Sequence, residues 1–131
     1  MPANTTKTKK AKGRDFQGEI HEALTSGLEI DPEDIKIAVM GESGVDLILS
    51  PAAKKKFGWG VECKRQETVE FWKWWRQCKA NALVAHLKPF LVFRRNHTKK
   101  EKSDTLVVIK LEDFIELQKK ANEEKGSIGY D

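Results

Sequence analysis

The chain has 131 residues, of which 34% are charged, with a formal net charge of +4 and a pI near 9.0. That length fits one domain with its own hydrophobic core, and no apolar run approaches the roughly 18 residues that a membrane span needs. Two cysteines exclude a disulfide framework, and the polar, basic start lacks a secretory signal, so we expect a soluble cytoplasmic protein with an anionic partner.

The first half of the chain predicts a basic arm, one helix and three strands. Residues 1–13 lack apolar periodicity and predict a flexible basic arm. Phe16, Ile20 and Leu24 recur at helical spacing and predict a helix over 14–26. Three strands follow between turn residues, over 35–40, 45–50 and 59–64.

The second half predicts two helices and two strands. The apolar stripe of "TVEFWKWWRQCKANALVAHL" predicts a long helix with Trp75 in the core and Trp72 or Trp74 exposed at a partner surface. "PFLVFRR" and "DTLVVIKL" are typical of strands, and an amphipathic helix over 111–124 precedes a tail over 125–131. The order α-β-β-β-α-β-β-α predicts one α/β domain over 14–124, with a central mixed sheet flanked by helices.

Three charged residues on neighbouring predicted strands stand out. Asp46 lies on the second strand, and Glu62 and Lys64 share one face of the third because side chains alternate with a period of two. If the two strands pair, the Asp46 and Glu62 carboxylates meet, and their repulsion is relieved by a divalent cation such as Mg²⁺ or Mn²⁺. With Lys64 near the attacking water and an incoming phosphate, this set is typical of metal-assisted phosphodiester hydrolysis.

The same pattern also arises by chance, since a Glu/Lys pair two residues apart is common on exposed strand faces. Its context favours the nuclease interpretation, because a glycine-rich turn leads into the Asp46 strand and basic runs flank the site. The chain contains no zinc-ligand spacing, no GxxxxGK[ST] and no GxGxxG motif.

The basic residues form three clusters that predict contacts to phosphates, and the long helix adds Arg76 to them. The candidates are Lys10, Lys12, Arg14, Lys54, Lys55, Lys56, Arg76, Arg94 and Arg95.

The stretch "MGESGVDLILSPAAKKKFGWGVECKRQE" resembles the PD-(D/E)xK nuclease superfamily. Glu62-Cys63-Lys64 matches the (D/E)xK triplet, and Val45-Asp46 stands where that signature often has Pro-Asp. Together with "KGRDFQGEIHEAL", "QCKANA" and "PFLVFRRNHTK", the stretch resembles small phage-encoded relatives of the archaeal Holliday junction resolvases. The resemblance implies a restriction-endonuclease-like core.

The resemblance also implies roles for individual residues. Asp46 and Glu62 are expected to be metal ligands, with the backbone carbonyl of Cys63 as a third. Lys64 is expected to orient or deprotonate the attacking water. Ser43 matches a loop serine that these resolvases keep near the scissile phosphate, and a simple turn serine is the alternative. Gln77 with Ala80 resembles a helical feature that faces the active-site edge.

These resolvases also carry a metal-facing glutamate on the first helix, and its counterpart here is ambiguous. Helical phase assigns it to Gln17, whose amide oxygen can ligate but carries no charge. Residue type assigns it to Glu19, our first choice for the acidic role, or to Glu22, which is expected to face solvent. Glu42 in the turn is a further candidate.

The expected activity is a Mg²⁺-dependent endonuclease, with Mn²⁺ substituting, that resolves four-way DNA junctions as a homodimer in the cytoplasm of a phage-infected host. A two-fold symmetric substrate that needs two symmetric cuts matches a C2 dimer. The alternatives are an endonuclease of the same fold for another DNA substrate, such as restriction-type, mismatched or branched DNA, and a catalytically silent DNA-binding protein.

Overall fold

The computed structural model describes residues 6–39, 42–95 and 104–127, with side chains described for 13–39, 42–95 and 104–126. The described residues form four α-helices, five β-strands and a short 3-10 helix at Pro32–Asp34. In chain order the α-helices and β-strands are α1 (Thr6–Gly27), β1 (Ile35–Ile37), β2 (Leu47–Leu49), α2 (Pro51–Lys56), β3 (Trp59–Gln66), α3 (Phe71–Val84), β4 (Lys88–Arg95), β5 (Leu106–Val108) and α4 (Leu111–Ser127). The predicted α/β class, with a mixed sheet flanked by helices, is confirmed.

The sheet is mixed, because α3 connects two parallel strands and β5 then pairs in the antiparallel direction. β3 and β4 pair in parallel over their whole length, from Trp59 opposite Lys88 to Gln66 opposite Arg95. β5 adds to β4 in antiparallel orientation, and β1 pairs with β2 in antiparallel orientation as a separate two-stranded unit. A hydrogen bond from the Asp46 N–H to the Val61 carbonyl, 2.9 Å long, joins this unit to β3.

Two apolar clusters form the core, one on each side of β3 and β4. Phe16 and Ile20 of α1 pack with Val61 and with residues of β1 and β2. Trp74 and Cys78 of α3 pack with Leu91. The two helices are thereby fixed on the sheet on either side of the strand that carries Glu62.

The contact between α3 and β3 is unusually close because Gly60 has no side chain. A Cβ at this position would lie 2.7 Å from the Cβ of Ala82 and 2.9 Å from its Cα. The helix backbone therefore approaches the strand at Gly60, and the neighbouring Asn81 comes within reach of Glu62.

The structure corrects several predicted boundaries. α1 begins at Thr6, so residues 6–13 are helical rather than part of a flexible arm, and residues 1–5 lie outside the described residues. Lysine and alanine favour helix without needing an apolar stripe, which is the signal the prediction used. α4 continues to Ser127, three residues beyond its predicted end, and residues 128–131 lie outside the described residues.

The short helix α2 was not predicted, although its signal is present in the sequence. Ser50 is its N-cap, accepting a hydrogen bond from the Ala53 N–H at 3.0 Å, and Pro51 occupies its first turn. Because α2 separates β2 from β3, these strands do not form a hairpin and approach each other at Asp46.

The prediction that Trp75 is the core tryptophan of α3 was wrong, whereas the prediction that Trp72 or Trp74 is exposed is confirmed by Trp72. Trp74 is the buried one, packed against Phe93 with ring centroids 5.8 Å apart, and Trp75 is partly buried. Trp72 is exposed, as expected.

None of the helices in the described residues has the length and apolar character needed to cross a membrane.

Candidate active site

Asp46 stands at the junction of the two strand units. Gly44 has φ of 111°, a left-handed conformation that favours glycine, and it turns the chain into β2. The Asp46 carboxylate then accepts a hydrogen bond from the Cys63 N–H, with Oδ2 and N 2.6 Å apart. This bond, and the one from Asp46 N to Val61 O, fix the carboxylate against the middle of β3.

Glu62 is buried, and both of its carboxylate oxygens have partners. Oε1 accepts a hydrogen bond from Nδ2 of Asn81 at 3.2 Å, and Oε2 lies 3.7 Å from Nζ of Lys64. The Glu62 carboxyl is also in hydrogen-bond contact with Asp46. The structure therefore brings together Asp46, Glu62 and Lys64, the three residues singled out in the sequence.

The electrostatics of the pair follow from burial. Burial raises the pKa of Asp46 above its ordinary value, although the Cys63 N–H and Lys64 oppose the shift. Burial and then the charge of Asp46 raise the pKa of Glu62 to about 7, against the opposing effects of Lys64 and Asn81. Near neutral pH, the pair therefore retains a proton that an added cation would displace.

Gln17 is the first-helix residue that reaches this pair. It is buried, and its side chain hydrogen-bonds the Asp46 carboxylate. Its Oε1 atom is buried without a hydrogen-bond partner. A buried amide oxygen without a hydrogen-bond partner, on a side chain that contacts Asp46, is available as a ligand for a cation.

The acidic residues of the first helix lie elsewhere. Glu19 is exposed and pairs with Arg94, with Oε2 and the guanidinium nitrogen 2.7 Å apart. Glu22 is exposed as well. Of the candidates for the first-helix position, the structure places Gln17, and neither glutamate, in contact with Asp46.

The loop before β2 carries the two remaining candidates. Ser43 and Glu42 are both exposed, three and four residues before Asp46. The proposed role of Ser43 at the scissile phosphate stays a prediction.

Cys63 contributes its backbone to the site and its side chain to the core. Its thiol packs against the apolar cluster under α1, and burial raises its pKa well above the ordinary value. Burial likewise raises the pKa of Cys78 to about 12. Both thiols stay protonated and are therefore poor metal ligands. Ligation by the Cys63 carbonyl stays a prediction.

The donor set fits a hard divalent cation. Within the described ranges, no three His, Cys, Asp or Glu side chains converge as metal ligands. Two touching carboxylates and the unpaired Gln17 oxygen are nevertheless the oxygen donors that Mg²⁺ and Mn²⁺ prefer. The third side-chain ligand would be the amide oxygen of Gln17, which is neutral and therefore does not belong to an acidic cluster.

The predicted DNA contacts fall into two groups at opposite ends of β3. Lys54, Lys55 and Lys56 are exposed on α2, which leads into the start of the strand. Arg94 and Arg95 lie at the end of β4, level with Arg65 and Gln66 of β3. Since eight strand residues span roughly 25 Å, the groups flank the site on either side.

Arg94 is already engaged within the chain. It pairs with Glu19, donates to the Thr105 hydroxyl at 2.9 and 2.8 Å, and lies over the Phe16 ring at 5.0 Å from its centroid. These contacts fasten α1, which carries Gln17, to the strands. Arg94 is therefore better placed to hold the site together than to bind phosphate.

The other DNA-contact candidates remain available at the surface. Arg14, Arg76 and Arg95 are exposed, and Nε of Arg95 donates to the Glu67 carbonyl at 3.2 Å. The side chains of Lys10 and Lys12 lie outside the described residues.

Asn81 is the site residue that the sequence reasoning missed. The prediction picked Gln77 and Ala80 on the same helix, and both are exposed. Asn81 lies one helical turn after Gln77 and immediately before Ala82, which packs on Gly60.

A family model matches most of the chain. The family described as "Phage putative PDDEXK endonuclease" matches residues 8–130. Neither the curated proteins nor the solved structures that were compared include a match to the chain.

Proposed function

Because the chain belongs to the phage PDDEXK endonuclease family, which implies a nuclease, we propose that it is a Mg²⁺-dependent endonuclease that resolves four-way DNA junctions as a homodimer. The observation that carries the proposal is the contact of the buried Glu62 carboxyl with the partly buried Asp46 carboxyl, with the Lys64 ammonium 3.7 Å from Glu62. A glutamate and a lysine that merely share the solvent-facing side of a strand would both be exposed, whereas Glu62 is buried.

The cation would be held by Asp46, Glu62 and the Oε1 atom of Gln17. When bound, Mg²⁺ supplies a Lewis acid that polarises the phosphate. Asn81 orients Glu62 by donating to one of its oxygens, which leaves the Lys64 ammonium on the other side of the carboxylate. Lys64 would orient the attacking water and offset the negative charge that develops on the phosphate.

In the reaction, water forms a new bond to phosphorus and the bond to the 3′ oxygen breaks. The products are a 5′-phosphate and a 3′-hydroxyl, and the proton lost by the water balances the one gained by the leaving oxygen. The polarity of this cut is what the likeness to junction resolvases implies.

Support for a junction substrate comes from the resemblance to the archaeal resolvases and from the placement of charge. Basic side chains lie beyond both ends of β3, so that a duplex arm could contact each end while the site faces the strand exchange point. A C2 dimer presents two such sites in the symmetry that paired cuts require.

The test is cleavage of labelled four-way junction, flap, duplex and single-stranded DNA in Mg²⁺, Mn²⁺ and EDTA. We expect paired nicks at the junction centre with either metal and none in EDTA. Equal cleavage of plain duplex would reject the junction substrate and favour an endonuclease for another DNA.

A silent DNA-binding protein is distinguished by Glu62→Gln, which keeps the size of the side chain and the acceptor for Asn81. We expect the variant to bind junctions in a gel shift nearly as well as the wild type while cutting falls at least 10³-fold. Glu22→Gln, which removes an exposed charge from α1, is the matched control and should cut normally. Cutting that survived Glu62→Gln would show that another residue does the chemistry.

A further inference from the structure

The site has an uncharged side chain at its first-helix position. Gln17 is only 6% exposed, and its side chain hydrogen-bonds the Asp46 carboxylate. Its Oε1 atom nevertheless has no hydrogen-bond partner. Buried polar atoms in folded proteins normally have one, and a bound ion is one of the reasons for an exception. The unpaired oxygen therefore marks a place for one cation next to Asp46.

The carboxylate oxygens of the site are largely engaged. Oδ2 of Asp46 accepts a hydrogen bond from the Cys63 N–H at 2.6 Å. In Glu62, Oε1 accepts from Nδ2 of Asn81 at 3.2 Å, and Oε2 lies 3.7 Å from Nζ of Lys64. A cation shared by the two carboxylates can use their remaining lone pairs. A second cation on Oε2 would lie beside the Lys64 ammonium, and the two positive charges would repel each other.

Among the described residues, no further carboxylate completes a second cation site. No three His, Cys, Asp or Glu side chains in that part of the chain are grouped as metal ligands. The Glu19 carboxylate lies 2.7 Å from the Arg94 guanidinium, and Glu22 and Glu42 are exposed. Two metal ions in one site lie only about 3.5–4 Å apart, and a single pair of carboxylates cannot offset the repulsion between them.

The charges of the site match one divalent cation. When ionised, Asp46 and Glu62 together carry two negative charges, and Gln17 adds none. One divalent ion neutralises the two carboxylates, and the positive charge of Lys64 is then left to attract a phosphate group of the DNA. A second divalent ion would leave a large excess of positive charge among buried and partly buried groups, which is unfavourable.

We propose that this site binds one divalent cation and not two, and that Gln17 is its uncharged third ligand. The single cation rests on the proposed function, because it belongs to the same catalytic site. The number of bound ions does not depend on which DNA is cut, however. It is measured without DNA, so that a wrong ion count and a wrong substrate give separate results.

Electron paramagnetic resonance counts bound Mn²⁺, because the ion in solution gives a sharp signal that broadens when the ion binds to a protein. The full chain is titrated without DNA up to millimolar Mn²⁺. Asp46→Asn is titrated in parallel, so that ions bound elsewhere on the surface can be subtracted. We expect the wild type to bind one more ion per chain than Asp46→Asn does, and we expect Mg²⁺ to displace it.

Two substitutions of Gln17 should change the affinity in opposite directions. Gln17→Met keeps the size of the side chain and removes the oxygen, so the dissociation constant of Mn²⁺ should rise about tenfold. Gln17→Glu keeps the oxygen and adds a negative charge, so the constant should fall about tenfold. If Gln17 only held Asp46 in place through its amide group, both substitutions would weaken binding. Gln118→Glu, the same change at an exposed residue of α4, is the matched control and should leave the constant unchanged.

Circular dichroism in EDTA checks that each variant is folded. Gln17→Met decides the ligand role if the added charge of Gln17→Glu prevents folding, because methionine introduces no charge into the buried position.

Two site ions per chain, both lost in Asp46→Asn, would overturn the single-cation proposal, and so would the absence of any site ion. Binding that is unchanged in Gln17→Met, or weaker in folded Gln17→Glu, would overturn the role of Gln17 as a ligand. A chain that binds one ion and cuts no DNA would instead reject the proposed nuclease and leave the single-cation site in place.

Discussion

Glu62→Gln should stabilise the metal-free protein at alkaline pH while abolishing its activity. Folding buries Glu62 beside Asp46 and raises the pKa of Glu62 from 4.5 to about 7. The folded state therefore holds the Glu62 proton more tightly than the unfolded state does. The contribution of this proton to the free energy of unfolding is fully present below about pH 4.5 and is lost as the pH rises from 4.5 to about 7.

The size of the loss follows from the shift. A shift of one pKa unit corresponds to about 1.4 kcal/mol, so the displacement of Glu62 costs up to about 3 kcal/mol above pH 7. Glutamine mimics the protonated acid, keeps the acceptor for Asn81 and can donate to Asp46. We therefore expect the variant to match the wild type near pH 5 and to be about 2–3 kcal/mol more stable at pH 8.

The measurement is urea unfolding in EDTA between pH 5 and 8, followed by tryptophan fluorescence. Glu22→Gln makes the same change of charge at an exposed position. Its free energy of unfolding should differ from that of the wild type by the same amount at every pH. Adding Mg²⁺ at pH 8 should raise the stability of the wild type and leave Glu62→Gln nearly unchanged, because only the wild type retains both carboxylates. Wild-type and Glu62→Gln curves that stayed parallel from pH 5 to 8 would refute the buried, repelling pair.

Three further changes probe what holds the site in place. Gly60→Ala should cost about 2–4 kcal/mol in urea unfolding, since the new methyl would lie 2.7 Å from Ala82, and equal stability would contradict this close packing. Arg94→Lys should lower kcat several-fold and shift the thermal midpoint only slightly, because lysine retains the charge opposite Glu19 but loses the guanidinium bonds; an unchanged kcat would place Arg94 outside the support of the site. Asn81→Ala should weaken Mg²⁺ binding about tenfold by calorimetry, and unaltered binding would mean that Glu62 needs no orienting donor.

The positions of Glu62 and Lys64 in the candidate site were predictable because their signal is local. The period of a strand fixes Glu62 and Lys64 on one face whatever the rest of the chain does. The position of Asp46 next to them required a contact between two strands, and the sequence reasoning assumed a hairpin. The contact exists, yet it consists of two hydrogen bonds of Asp46, one to the Val61 carbonyl and one from the Cys63 N–H, and α2 separates the strands because the Ser50 cap and Pro51 start that helix.

Residues whose role depends on three-dimensional packing were harder to predict. Trp74 and Trp75 are neighbours on α3, and only the position of Phe93 on the sheet decides which ring is buried. Asn81 enters the site because Gly60 lets the helix backbone approach, a distance that no pattern in one sequence encodes. For α4, amphipathicity predicted the helix, yet Asp113 is the only buried one among its described side chains, and Phe114 and Leu117 are exposed.

The first-helix position shows why residue type misled the choice between Gln17 and Glu19. The acidic character of most metal ligands favours glutamate, but burial, and then the charge of Asp46, already raises the pKa of Glu62 to about 7. A third buried carboxylate would deepen that repulsion in the metal-free protein, whereas an amide offers an oxygen without adding charge. Helical phase predicted Gln17 correctly because the positions of Phe16 and Ile20 determine which side of α1 is buried. Gln17 lies on that side, and its Oε1 atom is buried there without a hydrogen-bond partner. Glu19, two residues further along α1 and exposed, contributes through Arg94 to the position of the helix instead.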